Sequence, residues 1–237
     1  MGREVAAHAA EEGVDALWGV DAADGEAGFP VYPDFTNIPA VDAVIDFSAP
    51  QALDGLLDYC MKHNVPAVLC TTGYDDAQLA RIDEASKRVA LFRSGNMSLG
   101  IALLRALSRK AADILGDTFD VEIIEKHHNR KKDAPSGTAL MLLDAVGEGR
   151  HGPVTPVFGR HGRDAKRQPG EIGIHALRGG TVTGEHEVCF FGPSERITLT
   201  HSAESRSVFA VGALRAAAFL VGKEPGLYSM DDMIGKL

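Results

Sequence analysis

The fold is decided by residues 41–97, which read VDAVIDFSAPQALDGLLDYCMKHNVPAVLCTTGYDDAQLARIDEASKRVALFRSGNM. Three short apolar runs in this stretch predict strands, at residues 41–47, 65–70 and 89–92. Two segments with helical spacing lie between them, at residues 50–63 and 75–88. One face of the first of these carries Leu53, Leu56, Leu57 and Cys60. Strands that alternate with helices indicate a parallel sheet, so we expect an α/β chain with a Rossmann-like nucleotide-binding domain.

The pattern changes outside this stretch. Upstream, residues 15–20 predict another strand that runs into a loop rich in Gly, Asp and Pro. Downstream, a long helix over residues 99–115 precedes strand-rich segments, at residues 121–125, 171–177, 187–191 and 196–201. Turn sequences between them make these strands look antiparallel, so we expect a second, α+β domain with a mostly antiparallel sheet. A last helix over residues 208–221 closes the chain, and the basic, Gly-rich residues 147–170 predict a mobile loop without an assigned role.

Composition excludes several classes of protein. The chain has 237 residues, enough for one large domain or two small ones, and its 45% apolar and 24% charged residues are typical of a folded globular protein. No apolar run approaches the ~20 residues of a membrane helix, and residues 1–10 lack the apolar core of a signal peptide, so we expect a cytoplasmic protein. The net charge of −9 argues against nucleic acid or an anionic membrane as a partner. Cys60, Cys70 and Cys189 lie far apart, which favours reduced, buried thiols.

Residues 121–139, VEIIEKHHNRKKDAPSGTA, carry the clearest chemical signal. A strand leads into a loop that holds four Lys or Arg residues within seven positions, in an otherwise acidic protein. Ser136 and Thr138 supply hydroxyl groups at the start of the next helix, where free N–H groups and the dipole favour an anion. Lys131 can supply a charge to a carboxylate or phosphate, and His127 and His128 offer a proton near neutral pH. The segment therefore predicts a site for a small anionic substrate that receives a proton.

Each of these features alone also has a purely structural interpretation. Ser136 or Thr138 would more often cap a helix than bind a ligand. A basic run such as residues 126–132 is usually a solvated loop. His127 and His128 point apart on a strand, so at most one faces the site, and they lack the i, i+4 spacing of a helical metal pair, so no metal site is expected. The combination of these features at one strand-to-helix junction is what favours a site.

The order E-x-H-H-x-x-K-x-D-A-P-S-G-T-A at residues 125–139 resembles the signature of the dihydrodipicolinate reductase family. Further similarities extend over nearly the whole chain, at residues 46–48, 71–73, 94–97, 178–186, 205–206 and 222–227. The resemblance implies reduction of a cyclic dicarboxylate, 4-hydroxy-tetrahydrodipicolinate, to tetrahydrodipicolinate with NADH or NADPH, in the diaminopimelate route to lysine. It also implies a dinucleotide-binding domain at residues 1–98 and 207–237, and a substrate-binding and tetramerisation domain at residues 99–206 that assembles a homotetramer.

The resemblance implies roles for single residues as well. His127 would donate the proton as the hydride reaches the ring, and Lys131 would hold and polarise the substrate. The substrate carboxylates would be bound by His128, Lys131, Ser136, Gly137 and Thr138. The cofactor would be bound by Gly2, Arg3, Asp21, Phe47, Thr71, Thr72, Gly73, Ser94, Asn96 and Met97.

Three features depart from the family pattern. Family members begin with a strand and a Gly-rich loop of the G-x-x-G-x-M-G-R kind, and the chain starts at the end of that loop, so we expect that the stated start is wrong or that the first strand is truncated. Cys70 stands where a Gly is common. Asp21 is followed by Ala22 and Ala23 rather than by Arg, and a carboxylate there repels a 2′-phosphate, so we expect NADH to serve at least as well as NADPH.

Two other functions stay open on this sequence. A different Rossmann oxidoreductase, acting on an aspartate-derived metabolite, would share the nucleotide domain, although the K-x-D-A-P-S-G-T run argues against it. A binding or assembly subunit with impaired cofactor binding would fit the shortened Gly-rich loop. The presence of both His127 and Lys131 argues against such a decayed site.

Overall fold

The computed structural model describes residues 1–22 and 27–235. Two compact units are present, one built from Met1–Ser98 with Arg206–Ile234 and the other on Leu99–Ser205. Ala23, which follows Asp21 by two positions, lies outside the described residues. Within the described ranges, no helix combines the length and the apolar character needed to cross a membrane.

The first unit begins with helix α1 (Gly2–Ala9) and two very short strands. Strands β1 (Gly19–Val20) and β2 (Val31–Tyr32) pair in parallel. The predicted strand at residues 15–20 is therefore wrong over residues 15–18. Its partner β2 lies between Pro30 and Pro33, which have no N–H to donate, so the ladder of hydrogen bonds is short.

Alternating strands and helices follow, as the sequence predicts: β3 (Val44–Asp46), α2 (Leu53–His63), β4 (Ala67–Leu69), α3 (Asp76–Ser86) and β5 (Ala90–Arg93). β4 pairs in parallel with β3 on one side and β5 on the other, and every residue of β4 is buried. The predicted apolar face of α2 is confirmed, because its side chains are at most 3% exposed in the core of this unit, at Leu53, Leu56, Leu57 and Cys60.

Local signals set the ends of these helices. α2 ends where Asn64 adopts the left-handed conformation (φ 53°) and donates its N–H to the Cys60 carbonyl. α3 begins with a capping box, in which the Asp75 carboxylate accepts from the Gln78 N–H and the Gln78 side chain accepts from the Asp75 N–H. These helices connect β3, β4 and β5, and because the three strands are parallel, the residues after them lie at one edge of the sheet.

The second unit contains helix α4 (Leu99–Leu115), strand β6 (Asp120–His127), helix α5 (Gly137–Gly149) and four further strands, β7 (Thr155–Phe158), β8 (Glu171–Arg178), β9 (Gly184–Phe191) and β10 (Arg196–Ala203). These strands form a sheet in the order β10-β9-β6-β8-β7. β9 runs antiparallel to β6 and β10, whereas β8 runs parallel to β6 and β7. The sheet is thus mixed rather than mostly antiparallel, because the connection from β6 to β8 includes α5 as a crossover.

The predicted loop at residues 147–170 is wrong over residues 147–149, which belong to α5, and over β7, which adds an edge strand to the sheet. Residues 159–170, between β7 and β8, are tied down by two arginines. Arg160 Nη2 lies 2.8 Å from Glu171 Oε2, and Arg167 donates to the Glu122 carboxylate and to the Val121 carbonyl. Charged side chains rather than apolar burial therefore order this segment.

Helices cover one face of the second sheet, and the other face is open around Leu177. Val121 and Ile123 of β6 pack with residues of α4 and α5 in the core of the unit. The intervening residues of β6 point to the opposite face, where Lys126 binds Glu185 and Glu187 at 3.1 and 2.6 Å. Leu177, which pairs with Lys126 in the sheet register, is 47% exposed there.

The chain then returns to the first unit through helix α6 (Ser207–Leu220), strand β11 (Gly226–Tyr228) and helix α7 (Met230–Ile234). β11 pairs in parallel with β5. Among the described residues, the four-stranded sheet of the first unit therefore has the order β11-β5-β4-β3. Gly212 of α6 packs against the backbone of Met97. A Cβ at position 212 would lie 1.7 Å from the Met97 carbonyl oxygen. α6 therefore fixes the loop that follows β5.

Candidate active site

The basic loop of the second unit joins β6 to α5. Ser136 is the N-cap of α5, and its hydroxyl oxygen accepts from the Ala139 N–H at 3.2 Å. The structural interpretation of Ser136 as a helix cap is thus correct. The same hydroxyl also lies 3.1 Å from His186 Nε2, so Ser136 connects the helix to a buried histidine of β9.

Glu125 organises the residues around this junction. It is completely buried, on the same face of β6 as Val121 and Ile123. Arg178 Nη1 and Nη2 each donate to it at 2.7 Å, and the Ser136 N–H donates at 2.9 Å. Burial opposes the charge of Glu125, but the hydrogen bonds from Arg178, His127 and Ser136 outweigh it and lower the pKa of this carboxyl.

His127, the predicted proton donor, is bound to that carboxylate. Its Nδ1 lies 2.5 Å from Glu125 Oε2, and its side chain is 11% exposed. Burial lowers the pKa of His127; Glu125 acts in the opposite direction, and Lys131 and Arg178 add to the lowering. In the part of the chain that the structure describes, Nε2 of His127 has no hydrogen-bond partner, so this nitrogen is available to a ligand.

A second histidine lies beside the first but in a different electrostatic environment. The rings of His127 and His186 meet edge to face, with centroids 5.2 Å apart. His186 is 4% exposed, and burial, with His127 as the next cause, lowers the pKa of His186 to about 4. No carboxylate binds His186 directly among the described residues, whereas Glu125 binds His127 and favours the charged form of that ring.

The other predicted substrate residues lie on the same loop and helix. Lys131 Nζ binds Asp133 Oδ1 at 2.9 Å, and this contact lowers the pKa of Asp133. His128 is held through its backbone, by the Val182 carbonyl at 2.8 Å, and its Nδ1 accepts from the Arg130 N–H. Gly137 and Thr138 form the first turn of α5, next to the Ser136 cap.

The predicted cofactor residues of the first unit follow parallel strands. Phe47 comes after β3, Thr71, Thr72 and Gly73 after β4, and Ser94, Asn96 and Met97 after β5. Because carboxyl ends of parallel strands share one edge, these three loops lie at the same edge of the sheet. Gly2 and Arg3 begin α1, and Asp21 follows β1 with its N–H bound to the Tyr32 carbonyl.

Asp46 anchors two of these three loops. Its buried carboxylate accepts from the Ser48 N–H at 2.9 Å and from the Tyr74 hydroxyl at 3.3 Å. Gly73, the residue before Tyr74, has a φ of 82°, which favours glycine. No atom lies within 4 Å of the position that a Cβ of residue 73 would occupy. The edge therefore combines fixed loops, hydroxyl groups and open space, and such an edge fits a dinucleotide.

Three site residues had no predicted role, namely Glu125, Arg178 and His186. Glu125 carried a usable signal, because it continues the inward alternation of Val121 and Ile123 with a carboxylate that needs a buried partner. Arg178 and His186 bound the segment 178–186 that resembles the family, but the resemblance gave neither a role, and only the register of the sheet brings β8 and β9 to β6.

The fold and the site together define a class of protein. A parallel sheet with loops suited to a dinucleotide, and a second unit with a carboxylate-bound histidine beside a basic loop, are features of a two-unit Rossmann-type oxidoreductase. Two family models match the chain, "Dihydrodipicolinate reductase, N-terminus" at residues 1–97 and "Dihydrodipicolinate reductase, C-terminus" at residues 100–234. The chain belongs to the dihydrodipicolinate reductase family.

Individual relatives agree with the family models. A 4-hydroxy-tetrahydrodipicolinate reductase of Caldanaerobacter subterraneus subsp. tengcongensis is 49% identical over 100% of this chain and 94% of its own length. The enzyme of the same name from Clostridium novyi is 48% identical over 94% of this chain and 89% of its own length. The structure of a dipicolinate-bound dihydrodipicolinate reductase from Paenisporosarcina sp. TG-14 has the same fold, with a TM-score of 0.75 at 22% identity over 98% of this chain and 96% of that one.

Proposed function

We propose that the protein reduces 4-hydroxy-tetrahydrodipicolinate to tetrahydrodipicolinate with a nicotinamide nucleotide, in the biosynthesis of diaminopimelate and lysine. The carrying observation is the Glu125–His127 pair at the start of a loop that holds Lys131 and ends at the N-terminus of α5. A proton donor, a cation and helix N–H groups match a dicarboxylate that gains a proton. The name borne by the relatives at 48–49% identity supports the same activity.

The substrate carboxylates are assigned to the loop and to the first turn of α5. Lys131 supplies the positive charge and exchanges Asp133 for a substrate carboxylate. Ser136, Gly137 and Thr138 bind a carboxylate at the start of α5, and His128 contributes its ring. This assignment rests on the cationic character of the loop and on the family signature that it carries.

His127 donates the proton from Nε2. To do so the ring must be positively charged, and burial together with Lys131 and Arg178 opposes that charge in the free protein. Two substrate carboxylates near Lys131 would favour the charged ring. Protonation of His127 therefore accompanies binding of the dicarboxylate. The substrate gains a hydride and this proton and loses water.

The first unit is proposed as the dinucleotide-binding domain and the second as the substrate-binding and tetramerisation domain. When bound, NADH or NADPH supplies the hydride. The loops with Phe47, Thr71–Gly73, Ser94, Asn96 and Met97 hold the cofactor, and Gly2 and Arg3 contribute the start of α1. Asp21 after β1 favours a free ribose over a 2′-phosphate, so NADH serves at least as well as NADPH.

Assembly and location complete the proposal. The open face of the second sheet, with Leu177 and the Lys126–Glu185–Glu187 ion pairs, is assigned to contacts in a homotetramer. A biosynthetic reductase that consumes a nicotinamide nucleotide is assigned to the cytoplasm, where that cofactor pool is found.

Steady-state oxidation of NADH and of NADPH, with 4-hydroxy-tetrahydrodipicolinate generated in situ, tests the function. We expect turnover with both, and kcat/KM for NADH at least equal to that for NADPH. His127→Ala should lower kcat by roughly 10²–10⁴-fold with a small change in KM. Turnover confined to another aspartate-derived carbonyl compound, or cofactor binding without any turnover, would replace the proposal by one of its alternatives.

A further inference from the structure

The network around Glu125 constrains which nitrogen of His127 carries a hydrogen. Glu125 is buried and accepts from the Ser136 N–H and from two guanidinium nitrogens of Arg178, in addition to His127 Nδ1. These donors surround both oxygens and favour the ionised carboxylate. An ionised carboxylate only accepts hydrogen bonds, so Nδ1 of His127 must be the donor in their contact.

We propose that Glu125, held by Arg178, is a positioning residue that keeps the hydrogen of neutral His127 on Nδ1, so that Nε2 is the atom that takes up and delivers the catalytic proton. The inference rests on the proposed role of His127 as proton donor. It goes beyond that role because it assigns the reactive nitrogen and the residues that select it. Glu125 and Arg178 act through His127 and are not assigned a contact with the reacting atoms.

The surroundings of Nε2 agree with this assignment. A Cβ at Gly184 would lie 3.1 Å from Nε2, so the absence of a side chain at this position leaves that nitrogen accessible. The neighbouring His186 donates nothing to Nε2 of His127, since its own Nε2 is bound to Ser136 and its Nδ1 has no hydrogen-bond partner among the described residues. A ligand therefore has access to Nε2 while Nδ1 is occupied by Glu125.

Arg178 holds the Glu125–His127 pair in place through its contacts with Glu125 and with Asp133. Besides binding both oxygens of Glu125, its Nη2 donates to the Asp133 carbonyl at 2.7 Å and so connects the carboxylate to the basic loop. Its charge also adds to burial, the larger cause, in lowering the pKa of His127. The charged or titratable groups that act on His127 or contact it are Glu125 on β6, Lys131 on the loop, Arg178 on β8 and His186 on β9. Asp133 binds Lys131, and His201 of β10 acts on His186.

The tautomer of His127 in the wild-type protein tests the proposal without any substitution. Nitrogen-15 NMR of histidine-labelled protein distinguishes a protonated Nδ1 from a protonated Nε2, and the signals of His127 are identified by their loss in His127→Ala. We expect hydrogen on Nδ1 at a pH where the ring is neutral. A neutral His127 with its hydrogen on Nε2 would overturn the proposal.

Glu125→Gln tests the catalytic consequence. The variant should lower kcat by roughly 10–1,000-fold, with KM changed less, because the ring loses its fixed tautomer. Since the charged ring is the active form, kcat/KM falls as the pH rises through the pKa of His127, and removing the Glu125 charge should move this fall to lower pH. Glu122→Gln is the matched control: Glu122 binds His175 at 2.7 Å on the opposite face of β6, and its loss should leave the pH profile unchanged.

The outcomes separate this inference from the proposed function. Full activity of His127→Ala would reject the proposed donor. An inactive His127→Ala together with a Glu125→Gln variant that keeps wild-type kcat and pH profile would reject only the positioning role. Because Glu125→Gln leaves Arg178 without its counter-ion, thermal unfolding of each variant is recorded, and the wild-type tautomer decides the matter if the variant does not fold.

Discussion

His127 and His186 are in ring contact, and burial lowers the pKa of both, but only His127 has a carboxylate bound to its ring. Glu125 binds His127 directly and opposes the effect of burial, whereas His186 has only the Ser136 hydroxyl as its described partner on Nε2. Burial without a bound carboxylate lowers the pKa of His186 to about 4, whereas Glu125 partly offsets the effect of burial on His127. That difference supports His127 rather than His186 as the proton donor.

The depressed pKa of His186 predicts how stability changes with pH. The unfolded chain binds a proton at this histidine near pH 6.5, whereas the folded chain does so only near pH 4, so stability should fall as the pH falls between these values. Between pH 7 and pH 5, His186 alone should cost about 2 kcal/mol. Urea unfolding of wild type and His186→Gln checks this, and the variant should lose less stability over the same interval. His151→Gln is the control, because its side chain is 65% exposed; an equal pH dependence in wild type and His186→Gln would contradict the prediction.

At the scale of single residues, the sequence could predict a group of site residues only where those residues are close together in the chain. The loop with Lys131 and the start of α5 at Ser136 form one continuous segment, and the structure shows them joined as expected. Arg178 lies 53 positions from Glu125, and their contact depends on the pairing of β8 with β6. No local pattern encodes that register, which is why the partner of the buried carboxylate could not be predicted.

At the scale of elements, the sequence predicted strands and helices well but not the direction of every strand. The alternation of side chains between the two faces of β8 is the same whether the neighbouring strand is parallel or antiparallel. The direction of β8 relative to β6 is decided by the crossover connection through α5. β7 was missed because Thr155–Phe158 is short and carries a proline, which is tolerated only at a sheet edge. The parallel strands of the first unit were predictable because helices separate them.

The contact between α6 and the loop after β5 predicts a strict requirement for glycine at position 212. Gly212→Ala would place a Cβ 1.7 Å from the Met97 carbonyl oxygen, so backbone must move, and the free energy of unfolding should fall by about 1–3 kcal/mol. Because Met97 belongs to a proposed cofactor loop, NADH should also bind less tightly. Gly55→Ala in α2 is the control, since no atom lies within 4 Å of its Cβ position, and it should be neutral or stabilising. Chemical denaturation and NADH titration measure both effects; an unchanged Gly212→Ala would show that the contact is looser than described.

At the scale of the whole molecule, the family prediction is confirmed by two family models and by relatives that match nearly the full chain. The described residues leave one face of the second sheet without a covering element, with Leu177 47% exposed on it. An open sheet face of this kind supports assembly with further copies of the chain.

The proposed homotetramer gives a prediction about that face. Leu177→Lys should shift the protein towards smaller species, because it adds a charge to the proposed contact, whereas Ile114→Lys at a 70% exposed position of α4 should not. Sedimentation velocity at several concentrations measures this. A wild-type monomer, or a tetramer that Leu177→Lys leaves intact, would contradict the assignment of the face.

The most direct measurement is a calorimetric titration with pyridine-2,6-dicarboxylate, a planar analogue of the substrate ring, in the presence of NADH. The central claim is that the loop between β6 and α5 binds a cyclic dicarboxylate through Lys131. We predict saturable binding to the wild type and a Kd raised by at least about 10-fold in Lys131→Ala, from loss of a charge-assisted contact. Lys110→Ala, which removes a comparable Lys–Asp pair on α4 (3.2 Å to Asp113), should bind as the wild type does. Absence of saturable binding in folded protein, or equal binding by Lys131→Ala, would contradict the account.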